Sequence, residues 1–69
     1  MFRKELLRKL RQRRGLSPMQ MVLDLDKTGL RISRPTLINW EAGNTEPRFS
    51  QVSILSKFFD IPLDSFMKK

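Results

Sequence analysis

The sequence predicts an all-α fold made of five short helices. Apolar residues recur at helical spacing in several segments, as they do in helices that bury one face. Ser and Pro residues mark the starts of these segments and Gly residues mark their ends, which is the usual placement at helix termini. No segment alternates apolar and polar residues as a half-buried strand would. The 69 residues are expected to form one domain, residues 1–69.

The first helix is predicted over residues 2–14. Its apolar stripe contains Phe2, Leu6, Leu7 and Leu10. Arg and Lys fill most of the other positions, and both residues propagate a helix well. Gly15 is expected to end this helix because glycine readily adopts the left-handed conformation that follows many helices.

Ser17 and Pro18 predict the start of the second helix. Ser is a preferred N-cap residue, Pro is favoured at the first helical position, and Gln20 stands where it would complete a capping box. Gly29 is expected to follow the end of this helix. Its buried face is expected to contain Met21, Val22 and Leu25.

The third helix is predicted over residues 34–42. Ser33 is its expected N-cap, and Pro35 lies in the first turn, where no backbone N–H is needed. Leu37 and Trp40 are expected to face the core, and Gly43 is expected to stop the helix.

Two more helices are predicted in the C-terminal third of the chain. The buried stripe of the fourth helix is expected to contain Phe49, Val52, Leu55 and Phe59. Ser50 is its expected cap, and Asp60 is expected to end it because Asp tolerates the left-handed conformation better than most residues. Pro62 is expected to open the fifth helix, from which Leu63 and Phe66 would pack back on the core.

Positive charge is concentrated near the N-terminus. The chain has 14 Lys and Arg against 7 Asp and Glu, a net charge of +7. Residues 1–14 hold seven of these cations and one acid, which gives that segment a charge of +6. Such a field attracts polyanions, with nucleic acid first and an acidic membrane surface second. The alternative is that most of these side chains form a solvated face that keeps a small domain soluble.

The composition argues against several classes of protein. The chain has no Cys and no His, which excludes disulfides, the usual zinc sites and Cys or His catalysis. No apolar run approaches the ~18 residues of a membrane span, and the basic N-terminus lacks the apolar stretch of a secretory signal. No enzymatic activity, metal ion or cofactor is therefore expected. Trp40 and most Phe residues fall on core stripes, which disfavours stacking on single-stranded bases.

The residues around the third helix carry a family resemblance. The runs Gly15–Ser17 and Ser33–Asn44, followed by Pro47, resemble the DNA-binding domains of the lambda repressor/Cro-type (XRE) family. The run Leu55–Phe66 is similar to the last two helices of that family. The resemblance implies a compact lambda-repressor-like helix-turn-helix fold, with residues 34–42 as the recognition helix.

The resemblance also implies roles for individual residues. Base edges of DNA would be contacted by Arg34, Pro35 and Asn39. DNA phosphates would be contacted by Ser17, Thr36, Asn44 and Arg48. Arg11 and Glu41 would form an ion pair that ties the first helix to the recognition helix.

Two departures from the family pattern fall near this site. Pro18 stands where the family often has a polar side chain that bonds phosphate, and the connection between the second and third helices is longer. Leu30 and Ile32 are expected to hold this connection against the core. The same connection is expected to bring Arg31 near a phosphate.

The chemistry of these positions fits a helix in the major groove of double-stranded DNA. Arg reads guanine O6 and N7, and Asn reads adenine N6 and N7. Pro35 and Ile38 could instead press on the methyl group of thymine. The alternatives are a solvated cation for Arg34, a surface amide for Asn39, and helix initiation or packing for the two apolar residues.

An apolar patch is expected outside the core. Its members are Ile54, Phe58, Ile61 and Met67. Exposed patches of this kind usually mark a partner surface. A homodimer formed there would place two recognition helices about 34 Å apart, on a palindromic operator.

Two function hypotheses follow from the resemblance. The first is a sequence-specific, double-stranded DNA-binding regulator of transcription, cytoplasmic and associated with the nucleoid, of bacterial or phage origin. The alternative is the antitoxin of a toxin–antitoxin pair, which binds a toxin protein and regulates its own synthesis through DNA binding. In that case the toxin would cover the patch around Phe58.

Overall fold

The computed structural model describes residues 1–67 and contains helices but no strand over that range. The helices are α1 (Lys4–Arg13), α2 (Pro18–Lys27), α3 (Arg34–Ala42), α4 (Phe49–Phe58) and α5 (Leu63–Phe66). The prediction of an all-α fold of five short helices is therefore confirmed, and α3 has the predicted bounds.

The helices enclose a single apolar core. α1 packs against α3 and α5, α2 packs against α3, and α4 packs against α5. The fully buried side chains are Leu7, Met21, Leu25, Leu37, Val52, Leu55 and Phe66. Trp40 joins them with only 3% of its surface exposed. The third helix is thus held against the core by α1 and α2, both of which precede it in the chain.

The first and last helices are joined near the two ends of the described chain. The rings of Phe2 and Phe66 stack with their centroids 5.5 Å apart. The backbone N–H of Arg3 donates to the carbonyl oxygen of Phe66 at 2.7 Å. Phe2 is buried although α1 begins only at Lys4 rather than at residue 2, so its place in the core does not require helical backbone.

Residues 28–33 connect α2 to α3 and fold back onto the core. Gly29 has a φ of +99°, a left-handed conformation that favours glycine. The Leu30 backbone N–H donates to the Leu25 carbonyl oxygen at 3.1 Å, and the Leu30 side chain is buried. Ile32 is half-buried. Both apolar residues thus hold the connection as expected.

The predicted capping box of α2 is only half formed. The Ser17 hydroxyl accepts the Gln20 backbone N–H at 3.1 Å, as expected for an N-cap. The Gln20 side chain donates instead to Asp24 at 2.9 Å, one turn further along the helix. Of the two side chains of the predicted box, only that of Ser17 therefore caps the start of α2.

The prediction for the start of α4 was wrong. The helix begins at Phe49 with Arg48 in the N-cap position, and Gln51 Oε1 accepts the Arg48 backbone N–H at 2.7 Å. Ser50, the expected cap, lies inside the helix. Phe49 is 69% exposed and does not belong to the core. Helical side chains tilt toward the N-terminus, so this first-turn residue points beyond the packed helices.

Candidate nucleic-acid interface

Helix α3 is capped by a side chain at its N-terminus and ended by a left-handed glycine at its C-terminus. The Ser33 hydroxyl accepts the Thr36 backbone N–H at 3.3 Å and thereby caps the first turn. Pro35 lies in that turn, where its missing N–H leaves no broken hydrogen bond. Gly43 follows the last residue with a φ of +83°, and this left-handed backbone ends the helix.

The outward face of α3 is mainly apolar. Leu37 and Trp40 point into the core. Pro35, Ile38 and Ala42 are exposed, and their spacing of three and four residues places them on one stripe. Ile38 is the largest of the three and has 44% of its surface exposed. We call these three residues the α3 stripe.

The two polar residues predicted to contact bases lie on opposite sides of the α3 stripe. Arg34 and Asn39 are five positions apart, which places them about 140° apart around a helix with 3.6 residues per turn. Arg34 is exposed, whereas Asn39 is half-buried. The Asn44 side-chain amide donates to Asn39 Oδ1 at 3.3 Å. Arg34 is therefore freer to approach a base edge than Asn39.

The residues predicted to contact phosphate differ in their surroundings. Asn44 is exposed in the turn that follows α3. Arg48 is exposed at the end of the loop that leads to α4. Ser17 is exposed and Thr36 is half-buried. The Ser17 hydroxyl accepts the Gln20 backbone N–H, and the Thr36 hydroxyl shares a hydrogen bond of 2.9 Å with Ser33 Oγ. Phosphate oxygens only accept hydrogen bonds, so each hydroxyl would have to donate its own hydrogen, which the Ser17 hydroxyl keeps because it accepts the Gln20 N–H.

Arg31 is held by an acidic residue of α2. Its Nε donates to Asp26 Oδ1 at 3.2 Å, and the two side chains are 89% and 50% exposed. Exposed pairs of this kind are weak. A phosphate near Arg31 would have to compete with Asp26, an acid that the sequence reasoning did not connect with it.

Arg11 and Glu41 form a bidentate ion pair between α1 and α3. Arg11 Nε and Nη2 donate to the two carboxylate oxygens at 2.7 and 3.0 Å, and each side chain is only 11% exposed. Arg11 Nη1 also donates to the Leu16 carbonyl oxygen at 2.9 Å. The hydrogen bonds that Arg11 donates to Glu41 raise the pKa of Arg11, against the lowering effect of burial. The pair thus joins α1, the turn that follows it and α3.

Arg8, a cation that the sequence analysis did not assign to the site, lies in a hollow beside the α3 stripe. The hollow has a volume of about 280 Å³ and is lined by Arg8, Arg11, Pro18, Ile38, Glu41 and Ala42. Arg11 is occupied by Glu41, whereas Arg8 is exposed. Arg8 and Arg11 are three positions apart and so share a face of α1. That spacing, together with the predicted Arg11–Glu41 pair, could have indicated Arg8.

The apolar patch predicted around Phe58 is only partly exposed. Ile54, Phe58, Ile61 and Met67 are all half-buried and pack against the core. The Phe58 ring meets the Phe59 ring edge-on at 4.9 Å, and the guanidinium carbon of Arg14 lies 5.0 Å from the centroid of each ring. The large apolar side chains with most exposure lie elsewhere: Met1, Met19, Leu23, Ile38 and Phe49.

The segment of residues 1–67 has no cluster of three or more potential metal-ligating residues. None of its helices is long and apolar enough to cross a membrane.

Comparison with known proteins identifies the fold family. A family model described as helix-turn-helix matches residues 7–66, which is most of the chain. A comparison with curated proteins found no match, and neither did a comparison with solved structures. The matched family consists of DNA-binding regulatory domains and not of enzymes. The chain therefore belongs to the helix-turn-helix family of the lambda repressor (XRE) type.

Proposed function

We propose that this protein is a sequence-specific regulator of transcription that reads double-stranded DNA with α3. The observation that carries the proposal is the free outer face of α3, which presents the α3 stripe and Arg34 to solvent. A single α-helix fits the major groove, where each base pair has its own pattern of donors, acceptors and methyl groups. The net charge of +7 supplies the attraction to phosphate.

Arg34 is the proposed hydrogen-bonding base reader. It occupies the first position of α3 and is exposed. Residues near the start of a recognition helix reach base edges, and Arg binds guanine O6 and N7 in a bidentate manner. Asn39 is proposed as a second contact, reading adenine from the other edge of α3 while it shares its oxygen with Asn44.

Phosphate contacts are proposed around α3. Arg48 and Asn44 lie after its C-terminal end, and Ser17 lies at the start of α2. Pro18 lines the hollow next to Ile38, so the start of α2 lies beside the outer face of α3. Arg8 is added to this set because it lines the same hollow. These contacts would fix the orientation of α3 without reading sequence.

Selection of bound sequences from a random duplex pool tests the proposal. We expect enrichment of one consensus sequence, and a pool without enrichment would refute sequence-specific binding. Arg34→Ala should relax the preference at one base pair and cost ~1–3 kcal/mol of binding free energy. As the matched control, Arg48→Ala should weaken all sites alike and reduce the slope of log K against log salt by about 0.9.

A homodimer on a palindromic operator is a further part of the proposal. The remaining exposed area of Ile54, Phe58, Ile61 and Met67 would form the contact between the two copies. A two-fold symmetric consensus from the selection would support the dimer. Sedimentation that gives a monomer both alone and on the selected duplex would refute it.

Antitoxin function is the second proposal, and it is favoured by apolar surface away from α3. Met19 and Leu23 are 48% and 52% exposed and lie four positions apart on α2, so they share one face. A toxin protein would cover this face rather than the patch around Phe58, whose residues are half-buried. A chain that is soluble and dimeric when purified alone would count against this proposal, and a toxin reading frame beside its gene would support it.

A further inference from the structure

We propose that the α3 stripe recognises thymine through its 5-methyl group. The inference rests on the proposed function, because it states which bases α3 would select. Pro35, Ile38 and Ala42 form the centre of the outer face, and none of these side chains can donate or accept a hydrogen bond. Thymine is the base that presents an apolar group to a side chain in the major groove.

The dimensions of the α3 stripe agree with this kind of contact. From Pro35 to Ala42 the helix rises ~10 Å at 1.5 Å per residue, and DNA advances ~3.4 Å per base pair. The stripe therefore faces about three base pairs, with Ile38 near its middle. Because Arg34 and Asn39 flank the stripe on opposite sides, a hydrogen bond from either would reach a base pair beside those that Ile38 contacts.

The charge around the α3 stripe favours DNA over a protein as its occupant. Arg8 and Arg34 border the stripe and are exposed. Protein interfaces of ordinary size bury ~800 Å² on each partner and use ~20–30 residues a side. Three side chains, of which only Ile38 is large, fall far short of that area. An apolar strip between arginines matches a groove that is lined by phosphates and carries methyl groups on its floor.

Replacement of thymine by deoxyuridine tests the inference directly, because the exchange removes only the methyl group. The probe is the duplex most enriched from the random pool, resynthesised with deoxyuridine at one thymine position at a time. Burial of a methyl-sized group contributes ~0.8 kcal/mol, so the affinity should fall about fourfold at each thymine that α3 contacts. Thymines outside the consensus should show no change.

Two variants assign the effect to the α3 stripe. Ile38→Ala should weaken binding to the thymine duplex and bring the thymine-to-deoxyuridine affinity ratio close to one. Leu23→Ala, which shortens a side chain of similar size and exposure (52% against 44%) on α2, should keep the ratio near that of the wild type. Circular dichroism should give the same helix content for both variants, since neither residue belongs to the core.

The outcomes separate this inference from the proposed function. A consensus duplex that binds equally well with deoxyuridine at every position overturns thymine recognition and leaves sequence-specific binding intact. Deoxyuridine sensitivity that survives in Ile38→Ala overturns the assignment to the stripe, as does Ile38→Ala with unchanged DNA affinity. Absence of any enriched duplex overturns the proposed function and this inference together.

Discussion

Replacement of Glu41 by Gln should lower the free energy of unfolding by about 1–3 kcal/mol. The exchange keeps the shape of the side chain but removes the charge that Arg11 contacts at 2.7 and 3.0 Å. The guanidinium group would stay in a place where the side chain is only 11% exposed. Breaking a fully buried pair costs ~3–5 kcal/mol. The surviving hydrogen bond to the Leu16 carbonyl oxygen should keep the loss below that figure.

Urea unfolding of the wild type, Glu41→Gln, Arg11→Met and the double variant measures this effect. A chain of this length has a total stability of ~4–10 kcal/mol, so the expected loss is a large fraction of it. Each kcal/mol should also lower Tm by ~4–8 °C. The coupling energy from the double-mutant cycle should be ~1–3 kcal/mol, since the two side chains are in direct contact.

The Arg31–Asp26 pair provides a control within the same molecule. Its side chains are 89% and 50% exposed and share one contact of 3.2 Å. Solvent screens such a pair, so Asp26→Asn should change the unfolding free energy by at most about 0.5 kcal/mol. Equal losses of unfolding free energy for Glu41→Gln and Asp26→Asn would refute the reasoning, because burial and bidentate geometry would then make no difference.

Three further predictions use the same unfolding measurement. Arg14→Ala should cost ~1 kcal/mol more than Arg13→Ala, which removes the same charge, because Arg14 lies over two Phe rings; equal losses would contradict a cation–π contribution. Ser33→Ala should cost ~1 kcal/mol through loss of the N-cap of α3, and an unchanged midpoint would count against that cap. Phe49→Ser should stay within ~0.5 kcal/mol because the ring is mostly exposed; a loss typical of a core residue would show that the ring is buried in solution.

Features fixed by local sequence could be predicted well. The bounds of α3 depend on a serine cap, a proline in the first turn and a glycine after the last residue, all of which lie within the helix or next to it. The same holds for the left-handed turn at Asp60, where φ is +56° as expected for an end of α4. Each of these features involves a few neighbouring residues and does not depend on how the helices pack against one another.

Features that depend on the meeting of several helices were less predictable. The apolar spacing of α4 includes Phe49, yet the buried face of this helix begins only at Val52, one turn later, and leaves the Phe49 ring in water. The half-buried state of Phe58 depends on Arg14 at the end of α1. Likewise, the place of Arg8 beside Ile38 depends on how α1 lies against α3. Helical periodicity gives the direction of a side chain but not what lies in that direction.

The stack of Phe2 on Phe66 determines when a newly made chain can finish folding. Synthesis proceeds from the N-terminus at about 5–20 residues per second, so Phe2 leaves the ribosome well before its partner ring. Until α5 emerges, one side of α1 has no cover and the Phe2 ring stays in water. The nascent chain can therefore bring α1, α2 and α3 together early, but its interior closes only after the ribosome has released Phe66.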